Sequence, residues 1–244
     1  MLNPAEPTDP TNPADPANPL PRHVAVIPDG NRRWAKRQGL KLAAGHKAGY
    51  DTLKRSAYAA FARGIPYVTA YGFSTENWTR TKEEVGYLMK LAGWVLKHEA
   101  KSYHADGIRI RILGSREGLD ASLAKAIDRV EELTRPNTGG TISICFNYGG
   151  RRDLVEAVQR IVRAGTPAGR INEQTIAAAL SSAGLPDPDL IIRTGGEQRL
   201  SNFLNWEAAY AELYFSDKLW PDFDTTELDR ALASYAVRKR NFGS

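Results

Sequence analysis

The stretch DLIIRTGGEQRLSNF, residues 189–203, sets an apolar run directly before two glycines that are flanked by arginines. The run at residues 190–192 predicts a buried strand, and the Gly-Gly pair predicts the turn that ends it. Backbone N–H groups of such a turn and guanidinium groups beside it can be directed at one anion. Arg193 and Arg199 stand six residues apart across the turn, which suits a diphosphate better than a single carboxylate. An ordinary strand-to-helix turn with solvated arginines is the alternative.

The stretch HVAVIPDGNRRW, residues 23–34, has the same build: an apolar strand, a turn signal and a basic segment of helical character. Asp29 stands where this strand ends, and open parallel α/β sheets bind their ligands at that edge. A carboxylate beside a phosphate-binding turn is a natural Mg²⁺ ligand, because proteins usually hold Mg²⁺ through one or two carboxylates and substrate phosphates. A turn or capping aspartate is the alternative interpretation of Pro-Asp-Gly.

Strand and helix patterns alternate along the rest of the chain. Strands are predicted at residues 23–28, 67–73, 108–114, 141–147, 189–193 and 212–215. Helices are predicted near residues 46–63, 82–105, 119–134, 151–164, 172–183 and 225–237. This alternation predicts a single α/β domain, residues 23–244, with a central and mainly parallel sheet flanked by helices.

The helix pattern near residues 84–103 is apolar on most of its sides, since Tyr87, Leu91 and Trp94 lie outside the main apolar stripe. A helix of this kind must bury more than one face. From the residues alone, a central core helix is the plain interpretation.

Residues 1–22 differ in composition from the rest of the chain. Proline recurs at every third position from Pro4 to Pro19, and these prolines would line one edge of a polyproline II helix. The segment lacks the apolar side chains that a core needs. We therefore expect a disordered or semi-rigid tail that is dispensable for chemistry.

The composition favours a soluble protein. The chain is 42% hydrophobic, which is ample for a core, yet no apolar stretch approaches the ~20 residues that span a bilayer. Cys145 is the single cysteine, so a disulfide framework is excluded and a reducing compartment is indicated. We expect a cytoplasmic location.

The net charge of +5 and the pI of about 9.3 raise the question of a nucleic-acid partner. The basic residues are scattered, and no basic stripe interleaved with aromatic residues or RNA-binding signature is present. We expect no nucleic-acid partner. The arginine surplus would equally serve diphosphates or the anionic face of a membrane, so peripheral membrane contact stays open.

Six blocks, taken together and in order, resemble the cis-prenyltransferases, the undecaprenyl diphosphate synthase family. They are HVAVIPDGNRRWAK (23–36), GHKAG (45–49), FSTENWTR (73–80), FNYGGRRD (146–153), LIIRTGGEQRLSNF (190–203) and WEAAYAELYFSDKLWPDF (206–223). The resemblance begins near residue 23 and covers roughly nine-tenths of the chain.

The resemblance implies an enzyme that condenses isopentenyl diphosphate with an allylic diphosphate, uses Mg²⁺ and forms a Z-configured polyprenyl diphosphate. It also implies a homodimer, and a hydrophobic tunnel for the growing chain that the helix near residues 84–103 helps to form. Residues 238–243 resemble a family tail that reaches the neighbouring subunit's site, although Asn241 stands where an arginine is common.

The resemblance also assigns roles to residues of this sequence. Asp29 would be the main carboxylate at the allylic diphosphate and a Mg²⁺ ligand, and Glu212 a second ligand from the partner subunit or from across the site. His46 would assist departure of the diphosphate, and Asn77, with Ser74, would help proton removal. Substrate contacts would come from Gly30, Asn31, Arg32, Arg33, Trp34, His46, Gly49, Ser74, Trp78, Arg80, Arg193, Arg199 and Ser201.

Several of these residues have plainer alternatives. His46 could be an exposed histidine at a helix start, and Glu212 could be a solvent-facing strand residue. Ser74, Asn77 and Trp78 could merely cap the helix that follows them.

Three positions depart from the family pattern. Leu42 stands where many members carry an arginine that contacts the allylic diphosphate. Loss of one charge-assisted contact would weaken binding by roughly 1.5–3 kcal/mol, unless Lys41 or Arg32 takes over that contact. Phe146 and Tyr50 stand where smaller residues are usual. If both aromatic rings face the tunnel, we expect a product of short to medium chain length. A C55 product is the alternative, because Gly72 and Ala92 would open space.

Three other kinds of prenyltransferase-related protein are alternatives to a chain-elongating cis-prenyltransferase. Leu42 keeps open the irregular, head-to-middle coupling of dimethylallyl units found in lavandulyl-type relatives. A non-catalytic subunit of a two-component enzyme is disfavoured, because such subunits lack the aspartate and the arginine motif that this chain keeps. Trans-type prenyl synthases are excluded, because they need DDxxD clusters and no Asp-Asp pair occurs here.

Overall fold

The computed structural model describes residues 20–238. Most of the predicted proline-rich tail, residues 1–19, lies outside the described residues. The C-terminal residues 239–244, with Asn241, lie outside them as well.

Six strands form one sheet. They are β1 (His23–Ile27), β2 (Tyr67–Ser74), β3 (Ile108–Leu113), β4 (Gly140–Tyr148), β5 (Leu190–Arg193) and β6 (Glu212–Phe215). Their order across the sheet is β3-β4-β2-β1-β5-β6, and every neighbouring pair is parallel. The predicted parallel sheet is confirmed, and each predicted strand is found with ends that differ by at most one residue.

Within residues 20–238, seven α-helices lie between the strands and an eighth follows β6. They are α1 (Asn31–Arg37), α2 (Leu42–Phe61), α3 (Lys82–His98), α4 (Ala100–Ala105), α5 (Ala121–Thr134), α6 (Gly150–Arg163), α7 (Glu173–Ala179) and α8 (Thr225–Ala236). The helix predicted near 82–105 is divided at Glu99, which both ends α3 and precedes α4. None of the helices within residues 20–238 is long and apolar enough to cross a membrane.

The two faces of the sheet are covered differently. Alternate strand residues such as Val24, Val68 and Ile142 form one core cluster with side chains of α2, α3, α4, α5 and α8. On the opposite face, Ile27 and Ile191 pack with Phe203 and Leu204 from the segment that follows β5. The connection after β1 and the connection after β5 therefore leave the sheet on opposite sides.

Helix α3 is not a central core helix. Glu84 and Leu96 are its only buried residues, and its other apolar side chains are half-buried or exposed. Trp94 is 40% exposed although it contacts Tyr50 edge-on. The reason lies beneath the helix, where a cavity takes the place of packed side chains.

Candidate active site

The site lies at the carboxyl ends of β1 and β5. These strands are neighbours whose connections run to opposite faces, and such a switch point is where open α/β sheets bind ligands. Ile27 pairs in register with Arg193, so Asp29, two residues beyond Ile27, lies beside Arg193. The two sequence motifs predicted to bind an anion are thereby brought together.

Asp29 is held between two guanidinium groups. Arg193 Nη2 donates to Asp29 Oδ2 at 2.9 Å, and Arg33 Nη2 donates to Oδ1 at 3.3 Å. On its other side, Arg193 Nη1 donates to Ser201 Oγ at 2.8 Å and to the Arg199 carbonyl oxygen. The Arg193 side chain is 5% exposed, and its Nε has no hydrogen-bond partner among residues 20–238. A buried guanidinium held in this way is a preorganised donor for an anion.

Two glycines fix the first turn of α1 against its neighbours. Gly30 has a φ of +112° and caps α1, and a Cβ there would lie 2.9 Å from Leu219 Cδ2. A Cβ on Gly49 would lie 2.4 Å from Asn31 Oδ1. Side chains at these positions would push α2 or the segment near Leu219 away from the turn that carries Arg32 and Arg33.

The turn after β5 is strained. Ser201, Asn202 and Leu204 have φ values of 50°, 66° and 46°, a region that costs non-glycine residues about 1–3 kcal/mol each. Asn202 holds the turn in place: its Nδ2 donates to Glu76 at 2.9 Å, and its Oδ1 accepts from the backbone N–H of Arg151 at 2.9 Å. The turn is thus tied to the loop after β2 and to the start of α6.

The loop after β2 forms a short 3₁₀ helix, Thr75–Thr79. The backbone N–H of Ser74 donates to Asn77 Oδ1 at 3.1 Å, so Asn77 caps its own 3₁₀ turn, whereas the helix that follows, α3, is capped by Thr81. Trp78 Nε1 donates to Asn147 Oδ1 at 2.8 Å. These bonds give the loop one defined position above the end of β2.

Glu84 joins this loop to the helices on either side, and sequence reasoning did not single it out. One of its oxygens, Oε1, lies 3.2 Å from His46 Nε2, 3.0 Å from Arg80 Nη1 and 3.8 Å from Arg32 Nε. Its side chain is 3% exposed. A buried carboxylate needs partners of opposite charge, so it orders three side chains that were predicted to bind substrate. The sequence held one sign of this role: Glu84 stands three residues after Thr81, which caps α3. The same spacing occurs at ordinary helix starts, so it did not distinguish a buried carboxylate from an exposed one.

His46 is buried beneath this network. Burial of the ring lowers the pKa of His46, and the hydrogen bond and charge of Glu84 oppose that shift. A lowered pKa makes the imidazole neutral at pH 7. In that state Nε2–H donates to Glu84 and Nδ1 is left as an acceptor. His46 is therefore not the exposed helix-start histidine that was its plainer interpretation.

A cavity of about 1240 Å³ opens at this site. Its walls include most of the predicted site residues: Asp29, Gly30, Asn31, Arg32, Arg33, His46, Gly49, Ser74, Asn77, Arg80, Arg193 and Ser201. The structure thus gathers residues from four sequence blocks around one space.

The cavity has a charged mouth and an apolar interior. The basic side chains that line it are Arg32, Arg33, Lys36, Arg80 and Arg193. The interior runs between the sheet and α3 and is lined by Leu88, Val95, Ile110, Ile127 and Ile142. Phe146 and Ile142 line the same cavity four residues apart on β4, so the apolar part extends about 13 Å along this strand. The shape suits an amphiphile with an anionic head and a long apolar chain.

Four predicted site residues lie away from the cavity. Trp34 Nε1 donates to Asp222 at 2.7 Å and fastens α1 to the 3₁₀ helix Trp220–Asp222. Trp78 is 40% exposed and packs edge-on against Phe73. The Arg199 side chain is largely exposed and pairs with Glu197, so that only its carbonyl oxygen takes part, through Arg193.

Glu212 is the fourth predicted site residue that lies away from the cavity. It pairs in register with Leu190 at the amino end of β5, and Leu190 pairs with Val24 of β1. Asp29 lies beyond the opposite, carboxyl end, and Glu212 Oε2 instead accepts from Arg238. Within one chain Glu212 does not reach Asp29, because the parallel register places Glu212 at the amino ends of the strands and Asp29 beyond their carboxyl ends. A shared ion would need the glutamate of a second subunit.

The residues at the mouth fit a magnesium ion bound through a substrate. Residues 20–238 contain no group of three or more His, Cys, Asp or Glu side chains that could hold a metal ion. Asp29 presents a carboxylate whose side chain is 32% exposed beside the basic groups. Since Mg²⁺ commonly takes one or two carboxylates and completes its shell with phosphate and water, Asp29 is the residue that would hold it.

A basic mouth on an apolar cavity, placed at the switch point of a parallel sheet, is the arrangement expected of a protein that binds a long amphiphile by a phosphorylated head. The family model described as "Putative undecaprenyl diphosphate synthase" matches residues 27–243. The chain belongs to the undecaprenyl diphosphate synthase family and is a cis-prenyltransferase.

Individual relatives agree with this family. An isoprenyl transferase of Chromobacterium violaceum is 49% identical over 223 residues, 91% of this chain and 88% of the relative. A crystal structure of lavandulyl diphosphate synthase from Lavandula x intermedia, in complex with dimethylallyl diphosphate, aligns with a TM-score of 0.88 and 37% identity over 93% of this chain and 99% of the other. A probable undecaprenyl diphosphate synthase from Campylobacter jejuni aligns with a TM-score of 0.78 and 30% identity, covering 93% and 100%.

Proposed function

We propose that this enzyme condenses isopentenyl diphosphate with an allylic diphosphate and forms a Z-configured polyprenyl diphosphate. The observation that carries the proposal is the cavity in which the Asp29–Arg193 pair opens onto an apolar interior. Such a space can hold a diphosphate and its prenyl chain at once.

The reaction joins C4 of isopentenyl diphosphate to C1 of the allylic substrate. The C1–O bond breaks, pyrophosphate leaves, and a proton is lost from C2 of the isopentenyl unit to give the new double bond. Basic groups fixed at the mouth stabilise the negative charge that grows on the leaving oxygen. Arg33, beside Asp29, would bind the allylic diphosphate, whereas Arg193 and Ser201 would hold the isopentenyl diphosphate.

Mg²⁺, when bound, would neutralise the departing pyrophosphate. Asp29 would hold it at the mouth of the cavity, where the carboxylate is already oriented by Arg193 and Arg33. His46, neutral and hydrogen-bonded to Glu84, would then contact the allylic diphosphate as a dipole and not as a cation.

We propose a product of short to medium chain length. Phe146 and Tyr50 both line the cavity, which supports the shorter limit. The apolar walls continue beyond Phe146 to Ile142, which leaves room for several isoprene units and supports the medium range.

Irregular coupling of two dimethylallyl units is the second candidate. Leu42 lines the cavity where an arginine would add a cation, and the lavandulyl diphosphate synthase structure covers 93% of this chain with a TM-score of 0.88. Regular elongation is preferred, because the deep apolar interior would serve no purpose for a product of two isoprene units.

The enzyme is proposed to act as a homodimer. Val155, Val158 and Val162 form a stripe on α6 and are 56%, 51% and 68% exposed. An exposed apolar stripe of this spacing is typical of an interface with another helix. A two-fold dimer would bury the same stripe on both copies.

Product analysis tests the proposed function. Purified enzyme with Mg²⁺ and labelled isopentenyl diphosphate is offered dimethylallyl, geranyl or farnesyl diphosphate in turn, and dephosphorylated products are identified by chromatography and mass spectrometry. We expect a discrete series of C5 additions that is lost in Asp29→Ala. Product from dimethylallyl diphosphate alone, without isopentenyl diphosphate, would assign irregular coupling instead. A protein that yields no prenyl product with any primer would refute both candidates.

A further inference from the structure

The connection from α1 to α2 exposes apolar side chains at the rim of the cavity. All seven residues at positions 36–42 are exposed. Leu40 is 49% and Leu42 40% exposed, and both also line the cavity. The cavity therefore opens to the surface at this connection, and Leu40 and Leu42 lie at the opening.

The backbone holds Leu40 in this exposed position. The N–H of Gly39 donates to the Lys36 carbonyl at 3.1 Å, and the N–H of Leu40 donates to the Ala35 carbonyl at 2.8 Å. With Gly39 at a φ of +67°, these bonds form a Schellman motif at the end of α1. Leu40 is thus presented to solvent by a defined turn.

Basic residues surround the two leucines. Residues 30–50 contain six Lys or Arg and no Asp or Glu. This +6 exceeds the net charge of the whole chain, +5, so the remaining residues sum to about neutral. The sequence therefore carries a local excess of positive charge between Asp29 and Asp51.

Part of this charge is free to face outward. Arg32 and Arg33 contact the carboxylates of the site, and Arg37 and Lys47 pair with Asp222 and Asp51. Lys36 and Lys41, on either side of Leu40, are exposed and form no ion pair with residues 20–238.

We propose that residues 36–42 form a docking surface for a bilayer that contains anionic lipid. Leu40 and Leu42 would enter the boundary between head groups and acyl chains, and Lys36 and Lys41 would lie against anionic head groups. Charge complementarity favours this occupant over a second copy of the chain, because two copies would bring together the Lys36 and Lys41 of each copy, which are unpaired within residues 20–238. The surface goes beyond prenyl transfer, and its binding can be measured without any prenyl substrate.

A fluorescent probe at position 40 tests the docking surface. Cys145 is the only cysteine of the chain and is fully buried, so Leu40→Cys adds the only accessible thiol. The thiol is labelled with an environment-sensitive nitrobenzoxadiazole dye. Vesicles of phosphatidylcholine mixed in equal parts with phosphatidylglycerol are then added. We expect emission to rise severalfold and to shift to shorter wavelength, and the response to weaken as salt is raised.

The matched control is Leu133→Cys, labelled in the same way. Leu133 is a leucine of similar exposure, 38%, on α5, and it follows two glutamates. Its probe should not respond. In unlabelled protein, Leu40→Asp should lower co-sedimentation with the anionic vesicles by roughly tenfold, whereas Leu133→Asp should not.

Three results would overturn the proposal. The first is a probe at position 40 that stays unchanged with anionic vesicles, and the second is an equal response at positions 40 and 133. The third is a response at position 40 that grows with protein concentration in the absence of vesicles, which would assign the surface to a second copy. Because substrates are absent, none of these results bears on prenyl transfer.

Discussion

At the scale of single residues, the site is a network of opposite charges around Asp29 and Glu84. The sequence predicted Asp29 and Arg193, because each stands at a strand end and parallel strands share that edge, whereas Ser201 was expected from the family resemblance. The sequence did not predict Glu84. A glutamate in the first turn of a helix carries no sign of its own burial, because that burial depends on how α3 packs over α2.

We expect Asp29→Asn to lower kcat/KM by roughly 100- to 1,000-fold. The substitution removes the charge that Arg193 and Arg33 orient and that would hold Mg²⁺. The measurement is steady-state incorporation of isopentenyl diphosphate. Asp51→Asn, which breaks an exposed pair with Lys47, is the matched control and should retain activity. Normal kinetics in Asp29→Asn would contradict the assigned role.

We expect Glu84→Gln to raise KM for the allylic diphosphate and to lower kcat/KM roughly tenfold or more. The neutral amide cannot balance the positive charges of Arg80 and Arg32, so these groups lose their fixed directions. The removed carboxylate also opposes the lowering of the His46 pKa. An acidic limb of the pH–rate profile that depends on His46 should therefore move to lower pH.

The control for this change is Glu83→Gln, because Glu83 is the exposed neighbour of Glu84. Equal kinetics in the two variants, or an acidic limb that does not move, would show that Glu84 only stabilises the fold.

At the scale of elements, the six strands were predictable because each is a short apolar run bounded by turn residues. The ends of the helices were less predictable than the strands. Helix α2 begins at Leu42, four residues before the predicted start. This start could not be predicted, because Lys41 at the N-cap position makes no side-chain capping hydrogen bond. The division between α3 and α4 at Glu99 was also missed, because the apolar pattern continues through it. The exposure of α3 could not be predicted, since apolar residues on all sides indicate burial unless a cavity is known.

The start of β1 should make stability depend on pH. His23 is 3% exposed, and its ring lies 2.7 Å from the Pro186 carbonyl and 2.8 Å from Thr69 Oγ1. Burial lowers the pKa of His23 from 6.5 to about 4. The unfolded chain binds this proton more readily, so stability is complete above pH 6.5 and is lost as pH falls towards 4. The loss amounts to about 3 kcal/mol.

Urea unfolding at about pH 7.5 and about pH 5 measures this effect. Acidic groups titrate in the same window, so the informative quantity is the difference between wild type and His23→Gln. The variant should lose less stability than wild type on acidification. An identical loss in both proteins would argue against His23.

Helix α3 and strand β4 should set the product length between them. Ala92 and Phe146 line the cavity, so Ala92→Phe should shorten the longest product and Phe146→Ala should lengthen it. Lys90→Phe, which adds an aromatic ring at an exposed position of α3, is the control. Chain lengths are read by mass spectrometry of the dephosphorylated products. Unchanged lengths in both cavity variants would exclude these walls as the limit.

At the scale of the whole molecule, the α6 stripe predicts the oligomeric state. We expect wild type to sediment as a dimer and Val158→Asp as a monomer, because the new carboxylate would be buried against an apolar surface. Leu133→Asp introduces the same charge on α5 and should remain dimeric. Sedimentation velocity measures the difference, and a dimeric Val158→Asp would place the interface elsewhere.

The cavity beneath α3 has a consequence for the folded state itself. A native interior is close-packed, but Glu84 and Leu96 are the only residues of α3 that are buried rather than half-buried or exposed. A prenyl chain that enters the cavity supplies the missing contacts and acts as an added segment of the hydrophobic core. Ligand that binds only the folded state at 100 times its Kd adds about 2.7 kcal/mol of stability. The midpoint of thermal unfolding should therefore rise with each isoprene unit that the cavity accommodates, and release of the longest product removes part of the protein's own interior.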